Sequence, residues 1–272
     1  MTWRTSGRSI VAAAVFQAAL AFAASAPDPL IEAARTAAAS YAQSLPDYIV
    51  KRITKRSVGS RPDLNAPGED VQFWRPLDVI TGDVAAEHGK EVYTNITVNG
   101  TPVKNLPGGG EWSAGEFSTV MLSILPPERA AVFTRPHAES IRNIPSVRYD
   151  FAVDEKHSAW HLAAGHLPGA PSLESYTTAY AGTIWIDRET GQVMKIDMSA
   201  RGLPSYFPLS TLRSVIDYDL VKIGDQKYLL PTRSDSVTCQ RGTPICLKNE
   251  TVFENYDKFS ANTNVTFGDD AK

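Results

Sequence analysis

Between residues 180 and 200, apolar and polar side chains alternate with period two in both halves of the stretch. Ile184 and Ile186 alternate with Thr183, Trp185 and Asp187; Met194, Ile196 and Met198 alternate with Lys195, Asp197 and Ser199. In an extended chain that period puts the aliphatic groups on one face, so the pattern predicts two arms of a β-hairpin sharing an apolar side. Asp187 can accept hydrogen bonds from turn backbone and Gly191 tolerates positive φ, which together mark the turn.

Alternation recurs on both sides of this hairpin. Residues 48–56 read as a strand with Ile49 and Ile53 on one side. Residues 71–80 read as a second strand, with Pro76 marking an edge or a bulge. A turn follows over 82–89, then a strand over 90–98 that runs into the tight-turn pair Asn99-Gly100. After Pro136 the chain turns extended again, with Val147, Tyr149, Phe151 and Val153 on one face. A weaker strand spans 158–163, and a Pro/Gly-rich loop 167–175. The last third is a meander: 214–223 meets 227–238 through Gly224-Asp225, 246–258 returns, and 265–267 forms a short final strand.

Two stretches carry the other period. Leu30, Ala33, Ala34, Ala37, Ala38 and Tyr41 recur at helical spacing behind the cap signal Asp28-Pro29, predicting an amphipathic helix over 28–44 that Pro46 ends. Phe117, Val120, Met121, Ile124 and Leu125 predict a second helix, with Ser113 and Glu116 spaced as a capping box and Pro126-Pro127 as its stop. A short helical turn over 128–132 follows. The stretch over 104–110, with Pro107 and three consecutive glycines, cannot form a core element and reads as a mobile loop or a lid.

Composition and charge narrow the setting. Arg4 and Arg8 precede an apolar run over 10–24 broken only by Gln17, and Ala24-Ser25-Ala26 offers a small-x-small cleavage site. That order predicts a signal peptide over 1–26 and a single domain over 27–272. The run is shorter than the ~20 residues of a membrane span, so the mature chain is expected to have none. Without Arg4 and Arg8 the 27 basic and 30 acidic residues become 25 and 30, a balance of −5, which disfavours nucleic acid as a partner. In an oxidising compartment the two cysteines, Cys239 and Cys246, are expected to form a disulfide across the turn at Gly242-Thr243-Pro244. The expected location is periplasmic or extracellular.

Reactive chemistry is sparse. His157, His161 and His166 fall within ten residues beside Asp154 and Glu155, but the segment has no clear period, and surface histidines explain it better than a metal site. Ser113 lies in GGEWSAGEF, where Trp112 and Glu111 break the G-x-S-x-G spacing of a nucleophile elbow, so helix capping explains it better. The carboxylate pairs Asp187 with Glu189 and Asp217 with Asp219 sit where turns and exposed strand positions place acids. Asn95, Asn99, Asn249 and Asn264 each head a glycosylation triplet, which matters only in a host that glycosylates. The sequence therefore predicts no catalytic residue, no metal and no cofactor. Lys51, Arg52, Lys55 and Arg56 form a basic cluster that reads as a solvated strand face, with contact to anionic lipid head groups as the sharper reading. The apolar set Trp112, Phe117, Met121, Ile184, Ile186, Met194, Ile196 and Met198 reads either as ordinary core or as the lining of an apolar ligand cavity, to which flexible thioethers are suited.

The segments EWSAGEFSTVMLSIL, YAGTIWIDRETGQVMKIDM, DYDLVKIGDQKYLLPTRSDS and VFENYDKFSANTNVTF resemble a group of exported bacterial proteins of unassigned function. The order of elements resembles that of the periplasmic lipoprotein carriers of the LolA/LolB type. This resemblance implies an α+β, β-dominated fold: a strongly curved antiparallel sheet, a half-barrel of roughly nine to eleven strands, with an N-terminal helix and a helical insertion covering its concave face. It further implies a binding protein for a lipid or for the acyl chains of a lipoprotein. The alternative is an envelope interaction module with a filled core, docking a protein partner through a sheet edge or the basic strand.

Overall fold

The computed structural model describes residues 28–61, 71, 73–87, 90–104, 117–165 and 173–258. The predicted signal peptide, Trp112, Ser113, the triple glycine, His166 and the 265–267 strand lie outside these residues.

Eleven strands form one antiparallel sheet. In chain order they are β1 (Tyr48–Ser60), β2 (Trp74–Glu87), β3 (Lys90–Val98), β4 (Thr101–Pro102), β5 (Val132–Ile141), β6 (Ile144–Val153), β9 (Ala179–Asp187), β10 (Val193–Arg201), β11 (Leu209–Ile223), β12 (Gln226–Gln240) and β13 (Ile245–Lys258). A small separate sheet pairs β7 (His161–Ala164) with β8 (Glu174–Thr177). The main sheet runs β4-β3-β2-β1-β13-β12-β11-β10-β9-β6-β5 and does not close. Its N-terminal strand pairs with its C-terminal one, Tyr48 opposite Lys258.

The sheet bends strongly. At the tip of the β5–β6 hairpin, Arg142 (φ 48°) and Asn143 (φ 66°) make the left-handed pair that a tight two-residue turn demands. From there the Arg142 side chain reaches β11, three strands beyond β6, donating to the Tyr218 carbonyl and lying 3.3 Å from the Asp219 carboxylate. Gly182 on β9 permits a close approach of β10: a Cβ there would lie 1.9 Å from the Asp197 carbonyl oxygen.

The 180–200 hairpin is as its alternation predicts. Ile184 stands opposite Ile196, both wholly buried, while Trp185, Lys195 and Asp197 face outward. Asp187 Oδ1 accepts from the Glu189 and Thr190 amides, and Gly191 takes φ 72°. The outer face of the sheet is a lattice of opposite charges, Arg213 with Asp197 (2.6 Å), Lys195 with Asp217 (3.4 Å) and Lys248 with Glu250 (3.0 Å).

Helix α1 (Pro29–Ser44) crosses the inner face. Asp28 caps it through the Leu30 amide, and Ile31, Ala34, Ala38 and Tyr41 turn toward the sheet at helical spacing. Helix α2 is shorter than its periodicity suggests, Thr119–Ile124, and buries Met121 and Ile124; its predicted cap lies outside the described residues. A 3-10 turn over Pro127–Arg129 follows it.

Four local expectations are corrected. The predicted turn over 82–89 is interior strand as far as Glu87, with Gly82 opposite Arg52. Pro76 sits beside a register shift in β2, an interior strand between β1 and β3, so the bulge reading holds and the edge reading does not. β5 begins before Pro136 and carries a bulge between Thr134 and His137, where Arg135 takes φ 52°. On β1 it is Tyr48, Val50, Arg52 and Thr54 that face inward, and Ile49 and Ile53 are only half-buried. The disulfide joins Cys239 and Cys246, directly opposed near the β12–β13 turn and both fully buried.

Candidate functional site

The inner face of the sheet changes character from one end to the other. Across β6, β9, β10 and β11 it is apolar. Tyr149, Phe151, Ile184, Ile186, Met194, Ile196, Met198 and Ile216 pack against Ile31, Ala34 and Ala38 of α1, Met121 and Ile124 of α2, and Leu125 just beyond it. Of the side chains that the alternation nominates for a ligand cavity, Met121, Ile184, Ile186, Met194, Ile196 and Met198 meet in this cluster, each 3% exposed or less. Phe117 is placed apart, in a second cluster with Tyr48, Val50, Val84, Ile223, Leu230 and Phe253. Its ring centroid lies 5.4 Å from that of Tyr48 and 5.3 Å from that of Phe253. Leu45 touches both clusters at the end of α1.

Beside this second cluster, the inner face of β1, β2 and β13 also carries buried polar groups. Arg52, 1% exposed, has its guanidinium carbon 6.0 Å from the Tyr93 centroid and 5.7 Å from that of Phe253, within cation–π range. Thr54 and Thr251 share a hydrogen bond of 2.9 Å across β1 and β13. Arg56 forks onto Asp78, Nε to Oδ1 at 2.6 Å and Nη2 to Oδ2 at 2.5 Å. The basic cluster is therefore not one solvated face: Lys51 and Lys55 point outward and exposed, whereas Arg52 and Arg56 are buried on the inner side. Period two separates them, and the inward parity of Tyr48 and Val50 was the signal that could have assigned them.

Two polar contacts hold the helices on the sheet and a third joins the helices to each other. The Tyr149 hydroxyl donates to the Asp28 carboxylate at 2.8 Å. Arg35 Nε donates to the Leu125 carbonyl at 2.9 Å, joining α1 to the end of α2. The Tyr180 hydroxyl donates to the Ser123 carbonyl. Burial raises the pKa of Tyr149 and Tyr180 above the ordinary tyrosine value, and the bond to Asp28 adds to it for Tyr149. Both hydroxyls are thus donors at neutral pH.

Beside α1 a cleft of about 220 Å³ opens between the helix and the turns of the β9–β10 and β11–β12 hairpins. Its lining combines apolar Ala38, Met121, Val193 and Leu229 with polar residues, among them Ser40, Tyr41, Thr190, Gln192 and Lys227. The Tyr41 hydroxyl is buried with no hydrogen-bond partner. Burial, and then the Glu91 carboxylate, push its pKa up. The sequence carried no short-range signal for this juxtaposition, because helix, turn and hairpin come from three separate stretches.

The remaining candidates are scattered. His157 Nδ1 lies 2.7 Å from Asp154 Oδ1 at a helical turn, and His161 Nδ1 lies 2.7 Å from Thr177 Oγ1 on β7. Among the described residues no three His, Cys, Asp or Glu side chains converge as a metal site would need, and no helix is long and apolar enough to cross a membrane. Asp217 and Asp219 both lie near Arg142, and Asp187 orders its own turn.

No family model matches the chain, and no curated protein matches it. Among solved structures it is similar to a LolA superfamily protein from Nitrosomonas europaea, 10% identical with a TM-score of 0.32, over 85% of this chain and 92% of that one. It is similar also to a DUF1329 family protein from Desulfovibrio piger, 8% identical with a TM-score of 0.37, over 85% of this chain and 94% of that one. Neither a ligand nor a residue role passes from either protein to this chain.

Proposed function

We propose that the protein is an exported binding protein that holds an apolar ligand, a lipid or the acyl chains of a lipoprotein, between the inner face of its curved sheet and the helices laid across it. One observation carries the reading. The apolar side of β6, β9, β10 and β11 is roofed by α1 and a six-residue α2 rather than by a second sheet, and the cleft beside α1 leads onto Met121, Val193 and Leu229 of that interior. Met121, Met194 and Met198 give the interior side chains that adapt to varied shapes. The cleft is smaller than the roughly 300–1,000 Å³ of a typical small-molecule pocket, so loading requires α1 to shift outward, against the contacts of Asp28 and Arg35. The disulfide and the leader-like N-terminus support an oxidising location outside the cytoplasm.

Native mass spectrometry of protein purified without detergent tests this, alongside titration with the uncharged fluorophore N-phenyl-1-naphthylamine. The expected result is an apolar adduct on the native protein and saturable fluorescence that the adduct suppresses. Absence of both removes the reading.

One observation favours a second reading, an envelope interaction module: Ile184, Ile186 and Ile196 are wholly buried, as in a filled core. It predicts capture of an envelope protein through the outward lysines, weakened by Lys51→Glu with Lys55→Glu while N-phenyl-1-naphthylamine fails to bind.

A further inference from the structure

The β11–β12 hairpin sets two lysines directly opposite one another, Lys222 and Lys227. Like charges in opposed cross-strand positions repel, and among the described residues neither lysine has an ion pair. Several other charges on the sheet are paired, as at Lys195–Asp217, Arg213–Asp197 and Lys248–Glu250. The unmatched pair stands at the cleft beside α1, which Lys227 lines.

A second unmet group lines the same cleft. Tyr41 is 8% exposed and its hydroxyl has no hydrogen-bond partner. Leaving a buried hydroxyl unpaired is unfavourable, and an acceptor brought in by a ligand would relieve it. Raised above the ordinary range by burial and by Glu91, this hydroxyl keeps its proton at neutral pH and serves as a donor. Of the rest of the lining, Ala38, Met121, Val193 and Leu229 suit a hydrocarbon chain, while Ser40, Thr190 and Gln192 add neutral polar groups.

We infer that the cleft takes a single-chain anionic amphiphile of the long-chain fatty-acid class, its carboxylate accepting from Lys227 and Tyr41 with Lys222 adding its charge, and its chain running inward over Met121, Val193 and Leu229. The inference rests on the binding-protein reading and adds the ligand's charge and its entry point. Because an anion offsets the Lys222–Lys227 repulsion and an uncharged chain leaves it in place, the cleft selects against uncharged chains of the same length.

The probes are 11-(dansylamino)undecanoic acid and its methyl ester, equal in chain and fluorophore and different in charge. The protein is tested as the native chain, as Lys222→Gln with Lys227→Gln, and as Tyr41→Phe. The native chain is expected to bind the acid about tenfold more tightly than the ester. The double lysine variant is expected to bind the ester as the native chain does and to lose the preference for the acid. Raising the salt should weaken only the acid. Tyr41→Phe, which deletes an unpartnered hydroxyl, is expected to leave stability unchanged or raised while lowering affinity for the acid. Equal binding of acid and ester by the native chain overturns the inference and leaves the binding-protein reading standing. A preference for the acid that survives the lysine substitutions also overturns it. Failure of both probes to bind overturns the two together.

Discussion

The Asp28 carboxylate serves two elements at once: Oδ1 caps α1 through the Leu30 amide at 2.9 Å, and Oδ2 accepts the Tyr149 hydroxyl of β6 at 2.8 Å. One side chain therefore sets the start of the helix and its docking on the sheet. Asp28→Ala loses the cap, about 1 kcal/mol, and leaves a buried hydroxyl unpaired, about 1 kcal/mol or more. Urea unfolding should show a total loss of about 2 kcal/mol. Asp28→Asn keeps a capping oxygen and should lose less than half as much. Equal losses for the two variants would show that the cap contributes nothing.

Gly191 fixes the opposite contact of α1. Its φ of 72° is left-handed, and a Cβ there would lie 3.0 Å from both the carbonyl carbon and the Cβ of Ala33. Gly191→Ala is expected to lose about 1 kcal/mol for the backbone and about 1 kcal/mol or more for displacing the helix. At Gly182 the obstacle is backbone at 1.9 Å rather than a helix that can shift, so Gly182→Ala should be the worse of the two, read as soluble yield and as melting temperature. A Gly182→Ala protein as stable as the native chain would show that β9 and β10 approach less closely than described.

What the sequence disclosed follows from where period two survives. In the 180–200 hairpin Ile184, Ile186, Met194, Ile196 and Met198 all fall at inward positions and Thr183, Lys195, Asp197 and Ser199 at outward ones, so register and face could be read directly. On β1 the same parity exists, but Arg52 and Thr54 occupy inward positions, and polar residues there hide the face. β5 is exposed over most of its length and contains Pro136, so little of its pattern reports burial. The pairing of Tyr48 with Lys258 is a contact between chain ends, for which no local signal exists. The candidate site divides in the same way: Ile184, Ile196 and Met198 were legible as one face, whereas Tyr41 and Lys227 meet only through the placement of α1 over the hairpin turns.

Buried Arg56 and outward Lys55 are adjacent in sequence and should behave oppositely. Arg56 and Asp78 are both largely buried, and their side chains meet through two short bonds. Arg56→Ala strands the Asp78 carboxylate, and loss of one partner of such a pair costs about 3–5 kcal/mol. Lys55→Ala removes an exposed charge and should stay within about 0.5 kcal/mol of native. Guanidinium unfolding of the two variants side by side is the measurement, and a similar loss in both would place Arg56 at the surface.

Alkaline pH tests how tightly α1 is seated. Tyr41, Tyr48 and Tyr149 have pKa values raised above the ordinary 10.0, in each case chiefly by burial. The folded chain therefore keeps protons that the unfolded chain releases once pH exceeds about 10. With fewer protons bound in the unfolded state, stability falls as pH rises from there, by about 1.4 kcal/mol per pH unit for each such tyrosine, and is unaffected by these groups below it. Urea midpoints between pH 8 and 11.5 should stay level to about pH 10 and then drop. Phenolate absorbance at 295 nm from the buried rings should appear only with loss of the native circular dichroism. Tyr149→Phe removes one of these groups and should make the descent shallower. If the full phenolate signal develops while the native spectrum persists at pH 11, then α1 opens without unfolding, and the rings beneath it are reached by solvent in the folded protein.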